Sequence, residues 1–110
     1  MLTHSLVVKL VAKPERAEDV AAFLVSALPL AEAEDFTPAW FALRADATTF
    51  YIVDAFKSDE DRSKHVNGPI AAALMANAEA LLAEAPSIAP VDILAAKVTP
   101  EAVLPPSEQR

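Results

Sequence analysis

The sequence predicts one α+β domain, in which a four-stranded antiparallel sheet packs against helices on one face. Its 110 residues, of which 54% are hydrophobic and 23% charged, suit a single core. Short β-branched runs alternate with segments of helical periodicity, in the order strand, helix, strand, strand, helical pair, strand. This order matches the split βαβ plan called ferredoxin-like. We expect the domain to span residues 1–98 and the proline-containing tail 99–110 to be extended or disordered.

Two prolines mark the boundaries of the first strand and the first helix. Residues 5–11 form a β-branched run that stops before Pro14, and proline both ends a strand and suits the first turn of a helix. Apolar residues then recur at helical spacing, which predicts a helix over 15–33. Pro29 lies inside this pattern and should kink the helix or loosen its last turn.

The remaining elements follow from aromatic residues and helix-terminal signals. Six of the seven aromatic residues lie in the segment 36–56, which predicts a hairpin. Ser58 precedes three acidic residues and should cap a short helix. The predicted elements are strands near 38–45 and 48–56, a helix from Ser58 to His65, a helix between Gly68 and Pro86, and a strand over about 91–97.

Composition excludes several classes of function. The chain has no cysteine, which excludes thiolate nucleophiles and cysteine-ligated metals, and its single glycine, Gly68, argues against phosphate-binding loops. Its two histidines, His4 and His65, are too far apart for a local metal pair, so we expect no metal. The net charge of -7 disfavours nucleic acid and anionic membrane. No apolar run could span a bilayer, so we expect a soluble, cytoplasmic protein.

The two faces of the predicted sheet are both apolar. Successive side chains of a strand point to opposite faces. The set expected to face the helices is Leu6, Val8, Leu10, Phe41, Leu43, Tyr51, Val53, Ala55, Val91, Ile93 and Ala95. The complementary set is Val7, Lys9, Val11, Trp40, Ala42, Arg44, Phe50, Ile52, Asp54, Phe56, Asp92, Leu94 and Ala96. Because the second face is too apolar for water, we expect a homodimer whose sheets close around a shared pocket for a small apolar or aromatic molecule.

Several segments resemble the antibiotic biosynthesis monooxygenase domain family over roughly residues 5–97. They are Phe50-Tyr51-Ile52-Val53-Asp54-Ala55-Phe56, the pair Arg62 and His65, Gly68-Pro69, Pro86, and Val91-Asp92-Ile93-Leu94. The resemblance implies a dimeric α+β barrel that binds a small aromatic or quinol-like compound. Active members of the family insert oxygen without a metal or flavin, so no cofactor is expected. A protein of this kind must deprotonate its substrate, stabilise the anion and exclude water.

Three residues are candidates for catalysis. His65 occupies the family's Arg-x-x-His spacing and could accept the substrate's proton; alternatively, it is a histidine near the negative end of a helix dipole. Asp54 lies in mid-strand, where it could be a base of raised pKa or a buried partner of Arg62 or Arg44. The family often has glutamate at the position of Asp54. Arg44 could stabilise an anionic oxygen or pair across a dimer.

Five further residues are candidates for substrate binding. Trp40, Phe50, Ile52 and Phe56 could form the walls of the pocket, although aromatic residues in strands are more often part of a core. Lys9 could hold an anionic group or extend into water.

Three functions therefore stay open. The first is a cofactor-independent monooxygenase or related oxidoreductase acting on a small aromatic or quinol. The second is a non-catalytic, stress-associated dimeric module that binds a small ligand. The third is haem binding or degradation through His65.

Overall fold

The computed structural model of the protein describes residues 1–99. Its elements are β1 (His4–Val11), α1 (Ala17–Ser26), α2 (Leu28–Glu32), β2 (Ala39–Arg44), β3 (Thr49–Ala55), α3 (Asp59–Val66), α4 (Pro69–Leu81) and β4 (Ser87–Asp92). The strands form one antiparallel sheet in the order β2-β3-β1-β4. The predicted ferredoxin-like α+β fold is therefore confirmed. The expected tail lies outside the described residues beyond residue 99, and the domain boundary stays a prediction.

The first helix is divided where the sequence predicts a kink. A single 3-10 turn, Pro14–Arg16, leads into α1, which ends at Ser26. A second helix, α2, starts at Leu28 with Pro29 in its first turn. Because Pro29 has no N–H to donate, the hydrogen-bond pattern of α1 cannot continue through it. The N–H of Ala27 is instead shared between the carbonyls of the last turn of α1.

Local side-chain contacts hold the hairpin and α3. The Asp46 carboxylate accepts hydrogen bonds from the backbone N–H groups of Thr48 and Thr49, at 3.0 and 2.8 Å, and so fixes the turn between β2 and β3. The Ser58 hydroxyl accepts from the N–H of Asp61 at 3.1 Å, which satisfies one free donor at the start of α3. Both elements are as predicted. None of the helices within residues 1–99 is long and apolar enough to cross a membrane.

The last strand begins earlier than predicted. β4 spans Ser87–Asp92 and pairs with β1, whereas the sequence pattern favours 91–97. The reason is Pro90, which lies within β4, opposite Leu6. Within sheets, proline is found mainly in edge strands, because it has no N–H for pairing with a neighbouring strand. β4 is an edge strand, so Pro90 is compatible with this position although it would argue against a central strand. After β4 the chain is held to the N-terminal segment by a 2.9 Å hydrogen bond from the N–H of Ile93 to the carbonyl of Thr3.

The predicted faces of β2, β3 and β4 are wrong. In β4, Asp92 lies opposite His4, on the face of Leu6 and Val8, whereas Val91 lies opposite Ser5 on the other face. In the register of the sheet, Val8 lies opposite Ile52 and Leu10 lies opposite Phe50, and directly opposed residues share a face. Alternate residues of β3, including Asp54, therefore face the helices together with the apolar residues of β1. Both faces of β2 and β3 are apolar, so their pattern carries no information on which face is turned inward.

The sheet thus has an inner face that packs on the helices and an outer face left uncovered in the single chain. The inner side forms the main core, which consists of Val8, Leu10, Ala12, Ala17, Val20, Leu24, Phe50, Ile52, Leu74, Leu81 and Leu82. The outer face carries Val7, Lys9, Val11, Phe41, Leu43, Tyr51 and Val53. Of the residues predicted to line a pocket between two sheets, Lys9 alone lies on the outer face. A pocket formed by the others would lie under the helices of a single chain.

Candidate functional site

Three titratable side chains meet beneath the helices: Glu34, Asp54 and His65. The Nδ1 atom of His65 lies 2.6 Å from Oε1 of Glu34, and its Nε2 atom lies 3.2 Å from Oδ2 of Asp54. Their exposed fractions are 7% for Glu34, 2% for Asp54 and 5% for His65. Charged groups are this deeply buried only when they are paired. We call these three residues the acid–histidine cluster.

Asp54 is held by the neighbouring strand. The backbone N–H of Leu6 in β1 donates a hydrogen bond of 2.9 Å to Oδ1 of Asp54. The hydroxyl of Ser5 donates to the backbone carbonyl of Asp54. An aspartate that accepts from a backbone donor in mid-strand is fixed in one orientation, so the sheet itself aims its second oxygen, Oδ2, at His65.

Glu34 is held by a short loop and by the single glycine of the chain. Thr37, three residues after Glu34, donates a 2.8 Å hydrogen bond from its hydroxyl to Oε1. A Cβ atom at position 68 would lie 3.1 Å from Oε2 of Glu34 and 3.2 Å from the carbonyl oxygen of His65. Gly68 therefore allows the Glu34 carboxylate to lie against the start of α4, where the helix dipole favours negative charge.

His65 lies in the last turn of α3, with both ring nitrogens turned to carboxylates. Its ring packs on the fully buried Phe56, with 5.3 Å between ring centroids. Burial favours the neutral imidazole, but the hydrogen bonds and negative charges of Asp54 and Glu34 outweigh it and raise the pKa of His65. The ring is thus protonated over a wider pH range than a free histidine.

The two contacts of the imidazole differ in quality. Oε1 of Glu34 forms a short hydrogen bond with Nδ1, whereas Oδ2 of Asp54 has no aligned hydrogen-bond partner within residues 1–99. The contact of Nε2 with Asp54 is therefore the weaker one. Because the carboxylates lie at opposite edges of the ring, they do not converge on one point, and no group of three or more side chains in the described part of the chain is arranged to hold a metal ion.

A small cavity and a larger groove lie next to His65. The cavity has a volume of about 40 Å³ and is lined by Leu6, Val8, Ile52, His65, Val66, Ile70, Ala71, Leu74 and Ile88. The groove has a volume of about 310 Å³ and is lined by Leu6, Asp59, Arg62, Ser63, Val66, Asn67, Ile88 and Pro90. Three of these residues, Leu6, Val66 and Ile88, belong to both. The cavity that His65 lines therefore adjoins the surface groove.

Two other predicted wall residues also lie near the cluster. Trp40 is directly opposite Asp54 in the register of β2 and β3, and it packs on the small apolar group Ala27, Ala31 and Ile70. Ile52 lines the cavity beside His65. Together with Phe56, these residues surround the acid–histidine cluster with apolar surface.

Three predicted site residues lie elsewhere. Arg44, at the end of β2, forms a 2.7 Å ion pair with Glu18 of α1 and lies over the ring of Phe50, 4.9 Å from its centroid. Lys9 lies exposed on the outer face of the sheet. The structure therefore does not bring Arg44, Phe50 or Lys9 to the acid–histidine cluster.

The expected arginine partner of Asp54 is wrong. Asp54 faces His65, and the Arg62 guanidinium instead pairs with Asp59 at 2.8 Å. Arg62 also donates hydrogen bonds of 3.2 Å to the carbonyls of Ser5 and Val91, which ties α3 to β1 and β4. An arginine within a charged helix thus serves to connect three elements.

Glu34 is the residue that sequence reasoning misses. It lies in a run of acidic residues at the end of α2, and its neighbours Glu32 and Asp35 are exposed. Nothing in the local pattern distinguishes the buried acid from the solvated ones. Its burial depends on α3 and α4, which are some 30 residues away in sequence.

Solved structures with the same fold are known. The NE2512 protein of Nitrosomonas europaea, of unknown function, has 51% sequence identity and a TM-score of 0.88, over 91% of this chain and 97% of its own. A protein of Pseudomonas aeruginosa has 23% identity and a TM-score of 0.73, over 86% of this chain and 97% of its own. A candidate antibiotic biosynthesis monooxygenase of Nitrosomonas europaea has 16% identity and a TM-score of 0.74, over 84% and 90% of the two chains.

A second candidate antibiotic biosynthesis monooxygenase, from Caulobacter crescentus, is similar at 16% identity with a TM-score of 0.73, over 86% of this chain and 92% of its own. No family model and no curated protein matches the chain. The likeness to the two monooxygenases establishes the fold. The chain belongs to the family of the Nitrosomonas europaea NE2512 protein and has the fold of the antibiotic biosynthesis monooxygenases, the family that its sequence resembles.

Proposed function

We propose that the protein is a cofactor-independent monooxygenase that oxidises a small phenol or quinol. The observation that carries the proposal is His65: a buried imidazole of raised pKa between two carboxylates, lining an apolar cavity that adjoins an open groove. Perturbed titratable groups beside a pocket are typical of active sites.

The groove between α3 and β4 is the proposed substrate site. Its volume, about 310 Å³, is within the range of small-molecule pockets. Apolar side chains such as Ile88 and Pro90 would contact the faces of an aromatic ring, while Ser63 and Asn67 offer hydrogen bonds at the rim. Ile88 lies on an edge strand, so a small shift of β4 would let the substrate hydroxyl reach His65.

His65 would accept the proton of the substrate at Nε2. Glu34 accepts a hydrogen bond from Nδ1–H and thereby selects the tautomer in which Nε2 carries no proton and can act as the base. Since the contact of Nε2 with Asp54 is poorly aligned, a substrate hydroxyl can compete for this nitrogen. The imidazolium that forms is stabilised by both carboxylates. Deprotonation yields a phenolate, which gives electrons to dioxygen far more readily than the neutral phenol.

The reaction balances without a cofactor. A hydroquinone and dioxygen give a hydroxyquinone and water: one oxygen atom forms the new C–O bond, the other leaves as water, and the substrate supplies all four electrons. The cation near the developing anion would be the His65 imidazolium, with Arg62 on the wall of the groove. Arg44, the residue predicted for that role, is engaged with Glu18.

We include a homodimer in the proposal. On the outer face of the sheet, Phe41 and Leu43 are 57% and 47% exposed, next to Tyr51 and Val53. A contiguous apolar sheet face is favourably buried against a second copy of the chain. The active site would then lie under the helices of each protomer. A cytoplasmic location stays part of the same proposal.

Oxygen consumption with a panel of hydroquinones tests the function. We expect turnover by the native protein, loss of at least about 100-fold in His65→Ala, and native turnover in His4→Ala, the matched variant of the other histidine. His65→Gln, which keeps a polar side chain, separates loss of the base from loss of the fold, and thermal melting checks each variant. Full turnover by His65→Ala or His65→Gln would remove His65 from the mechanism.

The second candidate function, a binding module, gives a different result in the same experiment. It is favoured by the carboxylates that occupy both nitrogens of His65. Its signature is a rise in melting temperature with a hydroquinone and no oxygen consumption, and this outcome would overturn the monooxygenase. The same geometry disfavours haem ligation, because an iron atom at Nε2 of His65 would have to displace the Asp54 carboxylate, whose Oδ2 lies 3.2 Å away.

A further inference from the structure

The cavity beside His65 is much smaller than any aromatic substrate. Its volume is about 40 Å³, and eight of its nine lining residues are aliphatic. An apolar cavity of about 150 Å³ takes up a benzene ring, so a cavity of this volume has room only for a molecule of a few heavy atoms. A six-membered ring does not fit.

The chemistry of the lining favours an apolar occupant. A buried water needs about two to four polar partners. The only side chain with polar atoms in this lining is His65, and both of its nitrogens face carboxylates. A small non-polar molecule loses nothing by entering such a chamber, whereas water loses hydrogen bonds.

We propose that this cavity holds dioxygen, the second substrate of the reaction. The inference rests on the proposed function and adds the place from which oxygen reacts. Leu6, Val66 and Ile88 are shared with the groove, so dioxygen in the cavity would lie next to the edge of an aromatic ring held there.

The position of His65 completes the step. After it takes the proton of the hydroxyl, the imidazolium lines the chamber in which dioxygen is reduced. Attack of the phenolate carbon on dioxygen forms a C–O bond and a peroxide anion, and the imidazolium returns its proton to that oxygen. This proton transfer regenerates neutral His65. Loss of the distal OH group together with the hydrogen of the attacked ring carbon, as water, then gives the carbonyl. A cation next to the developing peroxide lowers the barrier of this step.

Ala71→Val tests the proposal by filling the cavity. Ala71 is a half-buried residue of α4 and lines the chamber; its neighbour Ala72 is exposed, so Ala72→Val is the matched control. The first measurement is the paramagnetic relaxation of methyl protons in protein equilibrated with oxygen or with argon. We expect oxygen to relax the methyl groups of Ile52 and Ile70 about threefold more than that of Ala12, which is equally buried in the main core and does not line the cavity.

That enhancement should disappear in Ala71→Val and persist in Ala72→Val. Relaxation of Ile52 and Ile70 equal to that of Ala12 in the native protein would overturn the proposal. The same would follow from enhancement that survives in a folded Ala71→Val.

The second measurement is kinetic. With a hydroquinone that turns over, Ala71→Val should raise KM for dioxygen about tenfold and leave KM for the hydroquinone within about twofold. An unchanged KM for dioxygen in the filled variant would overturn the role of the cavity. If no hydroquinone is oxidised, the proposed function fails, and the relaxation experiment still decides whether the cavity takes dioxygen.

Discussion

Replacing Glu34 by glutamine tests whether the acid–histidine cluster is a charged unit. Glu34→Gln keeps the shape of the side chain, and its amide oxygen can still accept from Nδ1 of His65 and from the Thr37 hydroxyl. What is lost is the charge of the acceptor. A hydrogen bond to a charged group contributes about 1.5–3 kcal/mol and a neutral one about 0.5–1.5 kcal/mol. We therefore expect the free energy of unfolding to fall by about 1–1.5 kcal/mol.

The direction in which stability changes with pH is an independent test of the acid–histidine cluster. The pKa of His65 is raised in the folded protein, so its contribution to stability is complete below the unfolded pKa of about 6.5. It is lost as the pH rises through the folded pKa, because the unfolded chain releases this proton first. The native protein should therefore lose stability above about pH 6.5. In Glu34→Gln, one of the two groups that raise this pKa is absent, and the loss should be smaller.

The assay is urea unfolding followed by tryptophan fluorescence. Trp40 is the only tryptophan, and it packs beside α2 close to the cluster. Glu32→Gln is the control, since it makes the same charge change on an exposed residue two positions away. We expect the control to stay within about 0.5 kcal/mol of the native protein at about pH 6 and pH 8. If Glu34→Gln matches the control at both pH values, the cluster contributes no charge-dependent stability and the reasoning is refuted.

Three further predictions concern the sheet, the groove and the base. Ile52→Glu puts a carboxylate into the core and should unfold the chain. Val53→Glu, on the outer face, should leave the circular dichroism native and dissociate the proposed dimer, as measured by light scattering. Arg62→Ala should speed amide exchange in β4, because two hydrogen bonds to backbone carbonyls are lost. The rate of hydroquinone oxidation should rise with pH through a pKa above that of free histidine, since neutral His65 is the base.

Each of these has a contrary outcome. A folded Ile52→Glu with altered oligomeric state would mean that the faces of β3 are as the sequence suggested. Native exchange rates in Arg62→Ala would show that β4 is held by its strand pairing alone. A rate that falls as the pH rises would identify the imidazolium, rather than the neutral ring, as the active form.

The order of the elements could be predicted from the sequence because each boundary has a local cause. Pro29 divides the first helix, Ser58 caps α3, and the Asp46 carboxylate fixes the hairpin turn by accepting hydrogen bonds from nearby backbone N–H groups. These effects depend on residues within four positions of each other. β4 was misplaced because Pro90 is compatible with a strand only at the edge of a sheet, and edge position is a property of the whole fold.

The site could be predicted only in part, because only some of its residues are conspicuous in the local sequence. Asp54 is conspicuous as a carboxylate in mid-strand, and His65 is one of two histidines, so both were found from the sequence. Glu34 was not, because acidic residues at the end of a helix are common and its burial is decided by Thr37 and Gly68. The predicted arginine partner of Asp54 is wrong, because a choice between Arg62, Arg44 and His65 requires the register of β3 and the position of α3.

The inward position of Asp54 and Ile52 separates the proposed catalysis from the proposed dimerisation. Had Asp54 and Ile52 lain between two sheets, dissociating the dimer would have opened the active site to water. In the structure they lie under the helices, and the apolar outer face is separated from them by the sheet itself. The proposed chemistry at His65 and the proposed association through Phe41 and Leu43 would therefore use opposite sides of the sheet. It follows that Val53→Glu should yield a monomer that retains the acid–histidine cluster and the pH dependence of its stability.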